Sequence, residues 1–134
     1  MAEVLSIQSN PSNHVAILLV DDNVIARKLV AKVWEERGYI VNVVSSGKMA
    51  IEAFQKNRPC LVLVDCEMPG LDGYATTQRL RLLEQTEEHT PIIALSLYGE
   101  SHNASKWLQA GMDKLCVRPF TEKHADDLVH RYSL

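Results

Sequence analysis

The feature that most constrains this chain is an alternation. Short apolar runs rich in Val, Ile and Leu are separated by stretches whose apolar residues recur at helical spacing, and the pair repeats five times. The runs occupy residues 15–20, 61–64, 91–95 and 115–117, with a weaker one at 39–44 that Asn42 interrupts, as suits an edge strand. Continuous apolar runs of this length, with β-branched content, read as strands buried on both faces of a parallel sheet. Between them, Ile25, Leu29 and Val33 fall at i, i+4 and i+8, and Ala26, Val30 and Trp34 widen the apolar face of a first helix that ends at Gly38 as a C′ residue. Met49, Ala50, Ala53 and Phe54 mark a second helix, and 74–83 a third. Ala104, Trp107 and Leu108 mark a fourth that stops near Gly111, and Ala125, Leu128, Val129 and Tyr132 a fifth. Strands separated by helices pair in parallel through right-handed crossovers, so a doubly wound (βα)5 α/β domain is predicted, a three-layer sandwich around a five-stranded parallel sheet.

With 134 residues the chain is sized for one domain rather than two, and residues 14–134 are expected to form it. Residues 1–13, with Ser, Asn, Gln and Pro and no periodicity, read as a mobile leader. A net charge of −3 supplies no bulk attraction to a polyanion, so direct nucleic-acid binding is not expected. The run at 15–20 is about a third of a bilayer span, and no basic segment precedes an apolar one at the N-terminus, so neither membrane insertion nor secretion is expected. The three cysteines, Cys60, Cys66 and Cys116, lack CxxC spacing, which favours reduced thiols in the cytoplasm. The five histidines lack HxxH or HExxH spacing, and no GxGxxG follows the first strand.

In doubly wound sheets ligands bind beyond the carboxyl ends of the strands, where strand order reverses. The first run ends in Asp21 and Asp22, the third strand in Asp65, the fourth in Ser96 and the fifth in Arg118, followed by Pro119. Three carboxylates gathered at one rim repel one another and raise the pKa of at least one unless a cation offsets them. Mg²⁺ fits that need, since it takes oxygen ligands and binds through one or two carboxylates plus a phosphate oxygen. Ser96 offers a hydroxyl to one phosphoryl oxygen and Arg118 a positive charge to another; phosphoryl transfer needs little beyond such positioning and neutralisation. A carboxylate is a competent nucleophile for that transfer. Asp65 is the strongest candidate, alone on a central strand and followed by the turn Met68-Pro69-Gly70. Asp72 reads as an N-cap for the helix entering at Gly73, Cys66 as a small buried hydrophobe, and Trp34 and Trp107 as packing residues.

The residues from His14 to Tyr132 resemble the receiver domain of two-component response regulators. Leu18-Leu19-Val20-Asp21-Asp22-Asn23 is similar to that family's acidic pair, and Leu63-Val64-Asp65-Cys66-Glu67-Met68-Pro69-Gly70-Leu71-Asp72-Gly73 to its phosphoacceptor segment. Ala94-Leu95-Ser96 is similar to the hydroxyl strand, Ala110-Gly111-Met112-Asp113 to the turn before the last strand, and Arg118-Pro119-Phe120 to the basic-proline motif. The resemblance implies a flavodoxin-like strand order 2-1-3-4-5. It also implies that Asp65 accepts a phosphoryl group from a phosphohistidine of a histidine kinase or histidine phosphotransfer protein. Asp21, Asp22, Asp65 and the backbone carbonyl of Glu67 would hold Mg²⁺. A downstream effector would meet the last two helices, through 101–110, Leu115 and 122–132. Only self-phosphorylation and self-dephosphorylation would count as enzymatic activity. The Cys66-Glu67-Met68-Pro69 wording looks closest to receivers of hybrid histidine kinases, and both a stand-alone receiver and a piece of a hybrid protein fit it.

Three positions depart from the family's pattern. Arg118 stands where Lys is usual, and its planar fork is not a conservative replacement at a tight site. Leu97 follows the hydroxyl residue where a small side chain is usual, which predicts hindrance at the phosphoryl pocket. Leu115 stands where many relatives carry an aromatic switch residue. These changes predict altered rates and weak allosteric output. They also support an alternative, a pseudo-receiver that binds partners without phosphorylation. A haloacid dehalogenase-like phosphatase would need an acid in place of Asn23.

Overall fold

The structure is a computed structural model that describes residues 17–99 and 104–134. The leader at 1–13 and the start of the first apolar run lie outside the described residues. Five strands form one parallel sheet: β1 (Ile17–Val20), β2 (Val41–Val44), β3 (Leu61–Asp65), β4 (Ile92–Ser96) and β5 (Lys114–Val117). They alternate with α1 (Val24–Glu35), α2 (Gly47–Lys56), α3 (Gly73–Leu83), α4 (Ala104–Ala110) and α5 (Glu122–Tyr132). The order is β2-β1-β3-β4-β5, as expected, with the Asn42-containing strand at an edge. Val20 of β1 registers with Val44 on one side and Val64 on the other, so the chain winds one way from β1 to β2 and the opposite way from β3 onward. The reversal falls between β1 and β3, whose carboxyl ends carry Asp21 and Asp65.

Alternate strand residues supply two cores. Ile17, Leu19, Leu61, Leu63, Ile93 and Leu95 face α1 and α5, where Trp34, Phe120 and Leu128 complete the layer. Leu18, Val20, Val62, Val64, Ile92 and Ala94 face α2, α3 and α4, with Phe54, Leu80 and Trp107. Each layer removes bulky apolar surface from water, the main favourable contribution to folding.

The helices occupy the predicted places, but α1 presents a different face. It buries Val30, Ala31 and Trp34, whereas Ile25 is 72% and Leu29 62% exposed. The apolar arc of α1 is wider than the sheet can cover, so the sheet takes one stripe and the other is left at the rim of the strand ends. Leu115, expected on a partner-binding surface, is buried with Leu80 and Trp107 and offers little to a partner.

Helix starts follow local chemistry. Asn23 Oδ1 accepts from the Ala26 N–H at 2.8 Å, Ser46 caps α2, and Asp72 Oδ1 accepts from the Ala75 N–H at 2.9 Å, its expected role. Gly38 at φ 87° and Gly111 at φ 102° turn the chain after α1 and α4. At the sheet end opposite the acids, Arg81 donates to the carbonyls of Gly111 and Thr90 at 2.8 Å and pairs with Glu84 and Asp113. Asp113 in turn accepts from the Ile92 N–H at 2.8 Å, so one guanidinium ties α3 to the entrances of β4 and β5.

Gly73 lets α3 begin flush against the chain leaving β3. A Cβ there would meet the Asp65 carbonyl oxygen and would lie 2.9 Å from the Cys66 Cα. Gly73→Ala should therefore destabilise the fold by about 1–3 kcal/mol in urea denaturation, because backbone on both sides has to shift. The amide signals of Asp65 and Cys66 should move with it.

Candidate functional site

Asp21 leaves β1 with no solvent exposure. Its Oδ1 accepts from the Asn23 N–H at 2.9 Å and its Oδ2 from Arg118 Nη2 at 2.7 Å. A buried carboxylate is tolerated only when its charge and lone pairs are answered, and these two donors answer them. Asp22, the next residue, is exposed. The Arg27 guanidinium reaches the carbonyls of Asp21 and Asp22 at 3.4 Å, bracing the turn from the first coils of α1.

Asp65 ends β3 beside them, and its Oδ1 accepts from the Glu67 N–H at 3.0 Å. Arg118 Nη2 stands 3.7 Å from the same oxygen. One carboxylate oxygen from each of Asp21, Asp22 and Asp65 lies within 4.8 Å of the others, a hard-oxygen donor set of the kind a divalent cation accepts. Burial pushes the Asp65 carboxyl up to about 6, with the charges of Asp21 and Glu67 adding to the rise, while the Glu67 N–H and Arg118 oppose it. The expected raised acid is thus Asp65, and burial contributes more than repulsion.

Arg118 follows β5, joined to Pro119 by a cis peptide bond. The structure places its charge on Asp21 first and on Asp65 second. Ser96 ends β4, buried, and its Oγ donates to Glu67 Oε2 at 2.9 Å. The same Oγ accepts from the Tyr98 N–H at 3.1 Å, and the Leu97 N–H donates to Glu67 Oε1 at 3.4 Å. The Leu97 side chain is 65% exposed. It lines the mouth of the cleft with Ile25 and Leu29 and lies outside the core, so its bulk acts on entry. The cleft measures about 400 Å³ and includes Asp21, Asp22, Asp65 and Arg118. An apolar groove of about 320 Å³ adjoins it, lined by Ala26, Leu29, Leu97, Pro119 and Phe120.

The structure brings Asp21, Asp22, Asp65 and Arg118 together at one rim, with Ser96 beside them and linked to them through Glu67. Sequence reasoning gave Glu67 a metal-ligating backbone carbonyl; the contacts its side chain makes with Ser96 and Leu97 are the unforeseen part of the site, and no spacing rule signals where a long exposed side chain will fold. Asn23 also went unread: an Asn ahead of an apolar helix is the sequence signal of a cap, but nothing in the sequence signals its hold on Asp21. Cys66 is buried, and burial pushes its thiol up to about 12, which suits packing rather than reactivity. No helix among the described residues is long and apolar enough to cross a membrane.

The strand order is that of a response regulator receiver domain. The chain belongs to the response regulator receiver domain family, whose model matches residues 17–130. It is 33% identical over 119 residues to the sensor protein GacS of Pseudomonas syringae pv. syringae, covering 87% of this chain and 13% of that protein. It is 35% identical over 116 residues to the transcription factor SKN7 of Saccharomyces cerevisiae, covering 87% of this chain and 18% of that protein. The chain therefore spans only a minor part of these relatives. Among solved structures, the receiver domain of sensor histidine kinase PA1611 from Pseudomonas aeruginosa PAO1, with magnesium coordinated in its active-site cleft, superposes at TM-score 0.77 with 31% identity, covering 87% of this chain and 94% of that one. The receiver domain of histidine kinase CKI1 from Arabidopsis thaliana, complexed with Mg²⁺ and BeF₃⁻, superposes at TM-score 0.77 with 27% identity, covering 95% and 96%. The relatives include a hybrid signal transduction histidine kinase of Dictyostelium discoideum, in keeping with the wording around Cys66. This is a receiver domain of two-component signalling.

The raised Asp65 carboxyl has a consequence for stability. Its folded pKa, about 6, lies above the ordinary value of 3.8, so the folded state binds more protons between those limits and loses stability as pH rises through them. In the presence of a chelator, Asp65→Asn should match the wild type in stability near pH 4. It should exceed the wild type by on the order of 1–3 kcal/mol at pH 7. Urea denaturation at the two pH values checks the sign.

Proposed function

We propose that this receiver accepts a phosphoryl group on Asp65 from a phosphohistidine, in a Mg²⁺-dependent reaction that changes partner binding. The observation that carries the reading is the convergence of carboxylate oxygens from Asp21, Asp22 and Asp65 within 4.8 Å, at the reversal of strand order. The donors are all hard oxygens, and the Glu67 carbonyl belongs to the same turn; Asp21, Asp22, Asp65 and that carbonyl would hold Mg²⁺. Bound there, the ion neutralises charge on the transferring phosphoryl group. The magnesium in the PA1611 receiver supports the assignment.

An Asp65 carboxylate oxygen forms a bond to phosphorus as the phosphorus–nitrogen bond to the donor histidine breaks. The electron pair of that bond returns to the imidazole, and no water is consumed. Transfer of this kind is governed by positioning and charge, which Arg118 and Ser96 supply from two sides. Arg118, 3.7 Å from Asp65 Oδ1, is placed to meet one phosphoryl oxygen, and Ser96 Oγ another. The donor is a histidine kinase or a histidine phosphotransfer protein, and the exposed Ile25, Leu29 and Leu97 give it an apolar rim to approach.

Output toward an effector is assigned to α4 and α5. Residues 101–103 of that surface lie outside the described residues, and Leu115 is removed from it by burial. Residues 14–134 constitute the receiver, with its own cysteines reduced in the cytoplasm, no direct contact with nucleic acid and no membrane insertion.

Intact-protein mass spectrometry after incubation with a small phosphodonor and Mg²⁺ should show a single phosphoryl adduct. The adduct should vanish in Asp65→Asn and in the presence of a chelator. Absence of both an adduct and beryllofluoride binding would instead favour the phosphorylation-independent pseudo-receiver.

A further inference from the structure

The Glu67 side chain makes contacts that the receiver chemistry does not require. Its backbone suffices for the roles given above, yet the carboxylate folds back over the end of β4. There its two oxygens meet the Ser96 O–H at 2.9 Å and the Leu97 N–H at 3.4 Å. Fixing a long, otherwise exposed side chain costs rotamer entropy. It also sets a second negative charge close to Asp65, where the two carboxylates repel. What offsets these costs is the pairing of an anion with two donors that converge at a strand end.

A tetrahedral phosphoryl group on Asp65 carries anionic oxygens of the same hydrogen-bonding chemistry. We propose that the Glu67 carboxylate is an internal stand-in for the phosphoryl group, an inference that rests on the phosphoacceptor reading above. It holds the Ser96 and Leu97 donors in the unmodified protein and has to withdraw when a phosphoryl oxygen takes them. The Tyr98 N–H also bonds Ser96 Oγ, so the exchange is felt along 96–98. Phosphorylation is then a replacement of one anion by another, and Glu67 lowers the affinity of the site for the incoming one.

The experiment titrates beryllofluoride at saturating Mg²⁺ into the wild type, Glu67→Ala, Glu67→Asp and Asp65→Asn, following the amide signals of residues 96–98. The wild type should bind and Asp65→Asn should not. Glu67→Ala removes the stand-in, and should bind about 5–20-fold more tightly, the range expected for releasing one or two hydrogen bonds to a charged group. Glu67→Asp keeps the charge but is one methylene too short to span to both donors, and should tighten binding by a similar factor. Before any ligand is added, the Leu97 amide should exchange faster in both variants.

Tightening in Glu67→Ala alone would mean that charge and not contact matters, and would overturn the stand-in. So would unchanged or weaker binding in both variants. Failure of the wild type and every variant to bind would overturn the phosphoacceptor reading, and the stand-in with it. A wild type that binds alongside unaltered variants leaves that reading intact.

Discussion

A carboxylate without solvent exposure has to be answered by its neighbours, and Asp21 is one at the centre of the rim. Its answer comes from one near neighbour and one distant part of the chain. Asn23 supplies a backbone N–H from the turn into α1, and Arg118 supplies a guanidinium from beyond β5, 97 positions away. Removing one partner of such a pair leaves an uncompensated buried charge, commonly several kcal/mol of penalty, or about 3–5. The contact thus spans the sheet from β1 to β5 across β3 and β4. Asp65 lies between them, under the same guanidinium.

Much of this arrangement was legible before any coordinates. Strand identity followed from apolar runs bounded by polar residues, and the parallel sheet followed from the helices between them. Once the sheet was parallel, its carboxyl ends had to carry Asp21, Asp65 and Ser96, and strand-order reversal chose the rim where they meet. The matched segments around Asp21 and Asp65 named the family. The stripe of α1 that reaches the sheet was not legible. Residues 25, 29 and 33 and residues 26, 30 and 34 are both apolar at helical spacing, and periodicity cannot rank two adjacent stripes. Only the position of α1 against β1 and β2 decides it, and the losing stripe, Ile25 with Leu29, becomes the lip of the cleft.

The departures from the family's wording acquire physical content in the same way. Leu97 has a bulky side chain, but β4 ends just before it, so the side chain turns to the cleft mouth and joins Ile25 and Leu29. Leu115 packs inward with Trp107 and Leu80, so nothing at that position can swing between core and surface as a large aromatic ring could. Arg118 extends farther than a lysine of the same backbone position and spreads its donors in a plane. That reach lets it bond Asp21 while remaining 3.7 Å from Asp65.

Arg118 and Glu67 therefore share one logic. The acidic rim needs a positive charge, and Arg118 provides it; the donors at the end of β4 need an acceptor, and Glu67 provides it. In the resting protein Arg118 answers Asp21 and Glu67 answers the donors at the end of β4, while burial leaves the Asp65 carboxyl raised. On the proposed chemistry, an incoming phosphoryl group enters by displacing Glu67 from the donors at the end of β4. The free energy of the modified state then depends on what the phosphoryl group replaces, and single side chains at the rim can tilt it. A receiver built this way is tuned by residues that never react, because they set what the reacting groups have to replace.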